Sequence, residues 1–310
     1  MIFIKDLIYD YSDKRALHKV SFEIDEGSIT ALVGPNGSGK TTLLRSMAAL
    51  AKPLSGEIRI NGFDAFTQPR EVHLQVGYLQ DLFGLYDQLT VIQSLRFTAH
   101  SRMKPGMNVN AAVELAATRA GINGFLDKKV SSLSRGMRQR VGIAQAIIHQ
   151  PPVLLLDEPA SGLDPEARYS LSHLLLALRD AGMTIIVSSH ILAELEDYST
   201  GMLVIQEGRM IEHRLLKAVT EKDNYLHIFL RLTQYSNAFI EFIKTMESVK
   251  EVIVTDKGIS LKLNEKLLSS QQLLKILVLN DLPIVEFGQV KMNLQDEYIK
   301  TVSNYRQSKA

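Results

Sequence analysis

Gly34-Pro35-Asn36-Gly37-Ser38-Gly39-Lys40-Thr41 matches G-x-x-x-x-G-K-[ST] at every fixed position. The apolar run Ile29 to Val33 precedes it, and a helix-like segment from Thr42 to Leu50 follows. Strand, glycine loop and helix together are what turn this pattern into a phosphate site. Gly34, Gly37 and Gly39 let the backbone curl so that several amide N–H groups point into one hollow. The helix adds the partial positive charge of its N-terminus to the same hollow. Lys40 is then placed to reach the outer phosphates, and Thr41 to put its hydroxyl on magnesium. A plain glycine turn before an ordinary helix is the competing reading. The carboxylates found downstream argue against it.

Working outward, 310 residues suffice for one large or two modest domains. Lys plus Arg number 35 and Asp plus Glu 34, so charge gives no bulk case for nucleic acid or anionic membrane. There are no cysteines, which excludes disulfides and thiolate metal sites and fits a reducing cytoplasm. No apolar run approaches the roughly 18 residues of a membrane span. The N-terminus carries charges where a signal peptide would be apolar. The expectation is a soluble chain whose membrane role comes through a partner.

Before the loop, Met1 to Glu26 reads as β structure, with strict alternation from Val20 to Ile24. Tyr11 falls in this region, as a packing residue or as a π face on which a flat base stacks. After the loop, Ser55 to Gly62 reads as a hairpin arm ending in an Asn-Gly turn. Val76 to Leu79 reads as a short strand. A mostly helical region runs from Thr90 to about Gln150, broken at Pro105, Gly106 and Gly121–Gly124. Ser134 opens one of its helices, as an N-cap by default and as part of an anion site by alternative.

Val153 to Leu156 is a continuous apolar run that ends in Asp157 and Glu158, as suits a strand buried on both faces of a parallel sheet. Ligands in open α/β sheets sit at the carboxyl ends of strands. Asp157 is thus placed to hold magnesium, and Glu158 to orient or deprotonate an attacking water. Ser161 to Asp164 forms the turn before a helix starting near Pro165. Thr184 to Ser189 is the next buried strand and delivers His190 to the same edge. Ile191 to Tyr198 is expected to be helical, and Met202 to Ile211 a hairpin around Glu207-Gly208.

Taken together, these stretches resemble the ATP-binding subunit of an ABC transporter, over roughly residues 1 to 215. Gly34 to Thr41 resembles Walker A and Val153 to Glu158 Walker B with its catalytic Glu. Leu133-Ser134-Arg135-Gly136-Met137 resembles the LSGGQ signature, Ser161 to Asp164 the D-loop, and His190 the switch histidine. Tyr11 stands where that family puts its adenine-stacking aromatic. The resemblance implies an α/β P-loop NTPase domain with antiparallel β and helical subdomains. It implies ATP and Mg2+ held by Tyr11, Gly34, Pro35, Asn36, Gly37, Ser38, Gly39, Lys40, Thr41 and Thr42, with Glu158, His190 and Lys40 in catalysis. It also implies that Asp164 binds nucleotide, and that Ser134 and Gly136 serve the ATP of a second ATPase chain in a head-to-tail dimer. That chain would be a copy of this one or a paralogue.

Three departures stand out. Arg135 and Met137 replace Gly and Gln of the signature, a variant seen in exporter-type relatives. Where relatives tend to read Gly-Tyr-Leu-Pro-Gln, residues 77–81 read GYLQD, so the metal-contacting position falls on Asp81, or on Gln80 if the loop slips by one. Thirdly, beyond Lys217 a second unit begins. Tyr225 to Leu232, Glu251 to Leu263 (a hairpin) and Ile284 to Val290 read as strands. Ala238 to Met246 and Leu267 to Leu279 read as helices. The expected division is 1–217 for the nucleotide-binding domain and 218–310 for a small α+β, ferredoxin-like domain without catalytic groups. Asn293 to Ile299 resembles the ending of drug- and polysaccharide-export ATPases.

The expected function is ATP hydrolysis that powers a separate membrane permease, an exporter, from the cytoplasmic face of the membrane. The alternative is a soluble ABC ATPase acting on ribosomes or nucleic acid. Near-zero net charge and a single phosphate loop disfavour it. A third reading, an ABC domain that binds ATP but hardly turns it over, rests on Asp81 alone.

Overall fold

In the computed structural model, residues 1–81, 83–192, 195–196, 198–215, 225–234, 236–255 and 258–289 are described. They fall into two compact units, one ending at Leu215 and one beginning at Tyr225.

The first unit is built around β3 (Ile29–Val33), whose five residues are all buried. A strand covered on both faces cannot alternate, which is why ITALV reads as an unbroken apolar run. β3 pairs in parallel with β8 (Thr184–Ser189) and with β9 (Gly201–Gln206). β8 pairs in parallel with β7 (Val153–Asp157), and β7 with β6 (Val76–Leu79). β10 (Arg209–Leu215) adds an antiparallel edge, giving the order β10-β9-β3-β8-β7-β6. Fully burying each Leu or Ile of these strands contributes about 1.5–3 kcal/mol.

A second sheet carries the N-terminus. β1 (Ile2–Asp10) pairs antiparallel with β2 (Arg15–Ile24) and with β4 (Ser55–Ile60), and β5 (Phe63–Asp64) closes the edge. The expected alternation is real, for Val20, Phe22 and Ile24 are buried while Ser21 and Glu23 are exposed. Asn61 and Gly62 form the tight turn between β4 and β5, both with positive φ (54° and 86°). That backbone is what an Asn-Gly hairpin supplies.

Helices fill the rest. α1 (Lys40–Met47) follows the glycine loop. α2 (Pro69–Gln75) is a short helix that sequence patterning did not indicate, since Val72 is its only buried residue. α3 (Val91–Arg102), α4 (Val109–Ala120) and α5 (Arg135–Ile147) fill the expected helical region. Gly121 ends α4 in a left-handed C-cap at φ 66°. α6 (Pro165–Asp180) starts on the Asp164 N-cap, whose carboxylate accepts the Ala167 N–H at 2.8 Å. Within the helix expected over Ile191–Tyr198, residues 193, 194 and 197 lie outside the described residues. Among the described remainder, Leu195 donates to the Leu192 carbonyl in a turn.

The second unit is built from β11 (Tyr225–Leu232), α7 (Asn237–Thr245), β12 (Val249–Thr255), β13 (Gly258–Asn264), α8 (Ser270–Leu279) and β14 (Ile284–Gln289). Its sheet order is β12-β13-β11-β14, antiparallel throughout. That order with βαββαβ connectivity is ferredoxin-like. Ile228, Leu230, Leu261 and Leu263 from the sheet pack with Leu273 and Leu277 of α8 in its own core. Asn293 to Ile299 and the hairpin turn at 256–257 lie outside the described residues. Among the described residues no helix is long and apolar enough to cross a membrane.

Candidate functional site

β3 ends at Val33, and the chain must turn sharply to enter α1 over the carboxyl edge of the sheet. Gly34 permits this because a Cβ there would collide with the Ile205 carbonyl of β9. Gly39 N-caps α1 with φ 107°, a conformation closed to side-chain-bearing residues. The loop so formed borders an open cleft of about 900 Å³. Pro35, Asn36, Gly37, Ser38, Gly39, Lys40, Thr41 and Thr42 all line it.

The same edge collects the ends of β7 and β8. Lys40 is only 6 % exposed, and its Nζ donates to the Gly34 carbonyl at 2.8 Å. It also lies 3.5 Å from Glu158 Oε1. The other Glu158 oxygen, Oε2, is 2.8 Å from His190 Nδ1. One carboxylate thus joins the loop lysine to the histidine. Glu158 holds a left-handed φ of 49°, an uncommon backbone for glutamate that occurs where a site demands it. Ser188 steadies this turn. Its Oγ donates to Asp157 Oδ1 at 2.6 Å and accepts the Glu158 N–H at 2.9 Å. Sequence reasoning passed over Ser188, although its place opposite Asp157 in the β7–β8 register carries the signal.

Tyr11 stands at the cleft's other wall. It lies in the turn just past β1 rather than on the strand, and is 52 % exposed. Its hydroxyl is 3.2 Å from Thr42 Oγ1, and its ring lies 5.0 Å from that of Tyr9. An aromatic left half in solvent beside the phosphate loop is not spent on packing. Lys14, Arg15, Ala16 and His18 from β2 and its approach, and Glu207 to Arg209 from the β9–β10 turn, also line the cleft. The sequence reading gave none of them a role, because none belongs to a motif.

Asp81, not Gln80, lines the cleft with Lys40, Thr41 and Glu158. Burial lifts the Asp81 carboxyl above the usual carboxylate range, and the nearby Asp157 and Glu158 charges lift it further. Arg135 and His190 oppose that rise.

Asp157 (2 % exposed), Asp81 and the Thr41 hydroxyl offer oxygen donors only. Among the described residues no group of three or more His, Asp or Glu could hold a metal alone. This donor set fits Mg2+, which binds through one or two carboxylates plus phosphate oxygens and water.

Ser134 and Gly136 do not line this cleft, and neither does Asp164, which was expected to bind nucleotide. Asp157 and His190 are not among its lining either and reach it through Ser188 and Glu158. Ser134 caps α5 by accepting the Met137 N–H at 3.3 Å. A Cβ on Gly136 would lie 3.1 Å from the Ala167 Cβ, so the starts of α5 and α6 adjoin. The Arg135 guanidinium lies against Gly162, whose φ is 65°.

Fold and cleft together define a P-loop nucleoside triphosphatase. The profile described as ABC transporter matches residues 17–161. NatA, an ABC transporter ATP-binding protein of Bacillus subtilis, is 33 % identical over 72 % of this chain and 93 % of its own length. The bacitracin transport ATP-binding protein BcrA of Bacillus licheniformis is 28 % identical over 96 % of this chain and 95 % of its own. Among solved structures, cbiO1 of Clostridium perfringens, part of the ABC transporter complex cbiONQ, matches with a TM-score of 0.63. It is 31 % identical, covering 70 % of this chain and 88 % of that one. The chain belongs to the ABC transporter ATP-binding proteins and is an ABC ATPase.

Proposed function

We propose that this chain hydrolyses ATP to power a separate membrane permease, working as an exporter through closure and opening of an ATPase dimer. The observation that carries the dimer is the separation just described. Lys40 and Glu158 line one cleft, with His190 held at its edge by Glu158, while Ser134 and Gly136 stand outside it. A second ATPase chain, a copy of this one or a paralogue, completes each site by bringing its own α5 start to the phosphates.

Tyr11 stacks on the adenine, and Gly34 to Thr42 wrap the phosphates with backbone N–H groups and the Lys40 ammonium. Thr41, Asp157 and Asp81 would hold Mg2+, which would supply positive charge against the phosphates. Glu158 accepts a proton from the attacking water as its oxygen bonds the γ-phosphorus. The bond to the β–γ bridging oxygen breaks, and ADP leaves. His190 holds the Glu158 carboxylate in place through their 2.8 Å contact. Lys40 offsets charge on the outer oxygens.

Export is supported by the full-length likeness to a protein named for bacitracin transport. The Arg135 and Met137 signature variant supports it too. Residues 1–217 form the nucleotide-binding domain, and 218–310 an accessory domain without chemistry of its own. The chain sits at the inner face of the cell membrane through its permease.

The test is a pull-down with tagged Glu158→Gln protein from gently solubilised membranes in ATP. A polytopic membrane protein is the expected companion. Ribosomal or DNA-bound proteins without a membrane partner would overturn the transport reading.

A further inference from the structure

The two walls of the cleft hang from different sheets. The phosphate loop extends β3 of the central sheet, and Tyr11 rides on the antiparallel sheet beside β2. Besides the Tyr11–Thr42 contact, they meet at a backbone group, the carbonyl of Ala16. A Cβ on Gly39 would lie 2.9 Å from the Ala16 oxygen, and one on Gly208 would collide with it outright. Gly208 also donates its N–H to the Ser38 carbonyl at 2.9 Å and accepts the His18 N–H at 2.7 Å. Its nitrogen therefore holds the phosphate loop, and its oxygen holds β2. The hairpin that carries Gly208 touches the loop's other end as well, through the Ile205 carbonyl against Gly34.

Gly62, in another two-residue hairpin, makes a useful contrast. Both glycines have left-handed φ, 73° at Gly208 and 86° at Gly62. A Cβ on Gly62 would meet nothing within 4 Å. Gly62 is needed only for its backbone angle. Gly208 is needed for the angle and for the space.

We propose that Gly208 is a positioning residue for nucleotide recognition. By seating the Ala16 carbonyl against the phosphate loop, it fixes the spacing between the Tyr11 platform and the phosphate hollow. A nucleoside triphosphate then meets both walls at once, while inorganic triphosphate meets only one. This rests on the proposed role of Tyr11 as the base platform. A side chain at 208 must push β2 off the loop, and small misplacements of a binding wall are costly.

The experiment measures the affinity of the full chain for ATP and for inorganic triphosphate, each with magnesium. The variants are Gly208→Ala, Gly208→Asn, Gly62→Ala and Tyr11→Ala. Asn tolerates the left-handed angle, so Gly208→Asn isolates the collision should Gly208→Ala fail to fold. Both Gly208 variants are expected to lose about tenfold in ATP affinity while inorganic triphosphate stays within about twofold. Gly62→Ala is expected to leave the ratio of the two affinities unchanged. Equal losses for both ligands, or no loss for ATP in folded Gly208→Asn, would overturn the seat. Tyr11→Ala reads the platform separately. If that variant keeps its preference for ATP, the stacking role fails, and the seat is still decided by the Gly208 split.

Discussion

The phosphate-loop cleft and the start of α5 are both helix N-termini, yet they are finished differently. At the cleft and its edge, Lys40, Glu158 and His190 are drawn together by ion pairs and hydrogen bonds that cross three elements. At α5, Ser134 satisfies only its own helix, through the Met137 N–H. Asp164 likewise caps only α6. One half of the machinery is assembled by folding. The other is capped, adjoined and presented. On the proposed dimer reading, each chain folds fully while holding half of a working site.

Substitutions in the two halves should therefore fail in different ways. Glu158→Gln is expected to slow turnover by about 10²–10⁴-fold while ATP still binds, because only proton acceptance is lost. Single-turnover hydrolysis reads this, and wild-type turnover would assign the base elsewhere. Lys40→Ala should weaken ATP binding by about 100-fold or more, since the outer phosphates lose their cation. Equilibrium titration of the isolated chain checks it.

Gly136→Asp belongs to the other half. It should leave the isolated chain's ATP affinity within about twofold yet abolish turnover, because it sets a carboxylate where a helix N-terminus favours an anion. A large loss of binding by the isolated chain would erase the distinction between the halves.

The smallest effect is expected at Asp81. Its carboxyl is lifted by burial and by Asp157 and Glu158, so the fold favours the protonated form. Stability from this group is present at low pH and is lost as pH rises through the raised value. Asp81→Asn should melt higher than wild type at neutral pH, with the gap closing as pH falls towards 3.8. Thermal melts across that range check the sign.

Much of the cleft half was legible because its strands are buried on both faces. ITALV, VLLLD and TIIVSS read as apolar runs for the same reason that they sit at the centre of the sheet. The Asn61-Gly62 and Glu207-Gly208 turns were legible because a left-handed backbone selects Asn and Gly, here at Asn61, Gly62 and Gly208. Other parts were not. α2 buries one residue and so shows no periodicity. Tyr11 reads as strand until the turn that exposes it is seen. Which of Gln80 and Asp81 borders the cleft depends on a loop with no repeating pattern, and it is Asp81 that lines it. Ser188 and Gly208 act through contacts 30 or more residues away in sequence, which no local pattern encodes.

The most direct test of the two-half account mixes two inactive variants. Lys40→Ala keeps a sound α5 start but a broken loop, and Gly136→Asp has the reverse. Each alone should hydrolyse almost no ATP. Mixed in the presence of ATP, they should recover hydrolysis, because one of the two sites in a mixed dimer joins a sound loop to a sound α5 start. No recovery from two folded variants would contradict assembly of the site across two copies of this chain.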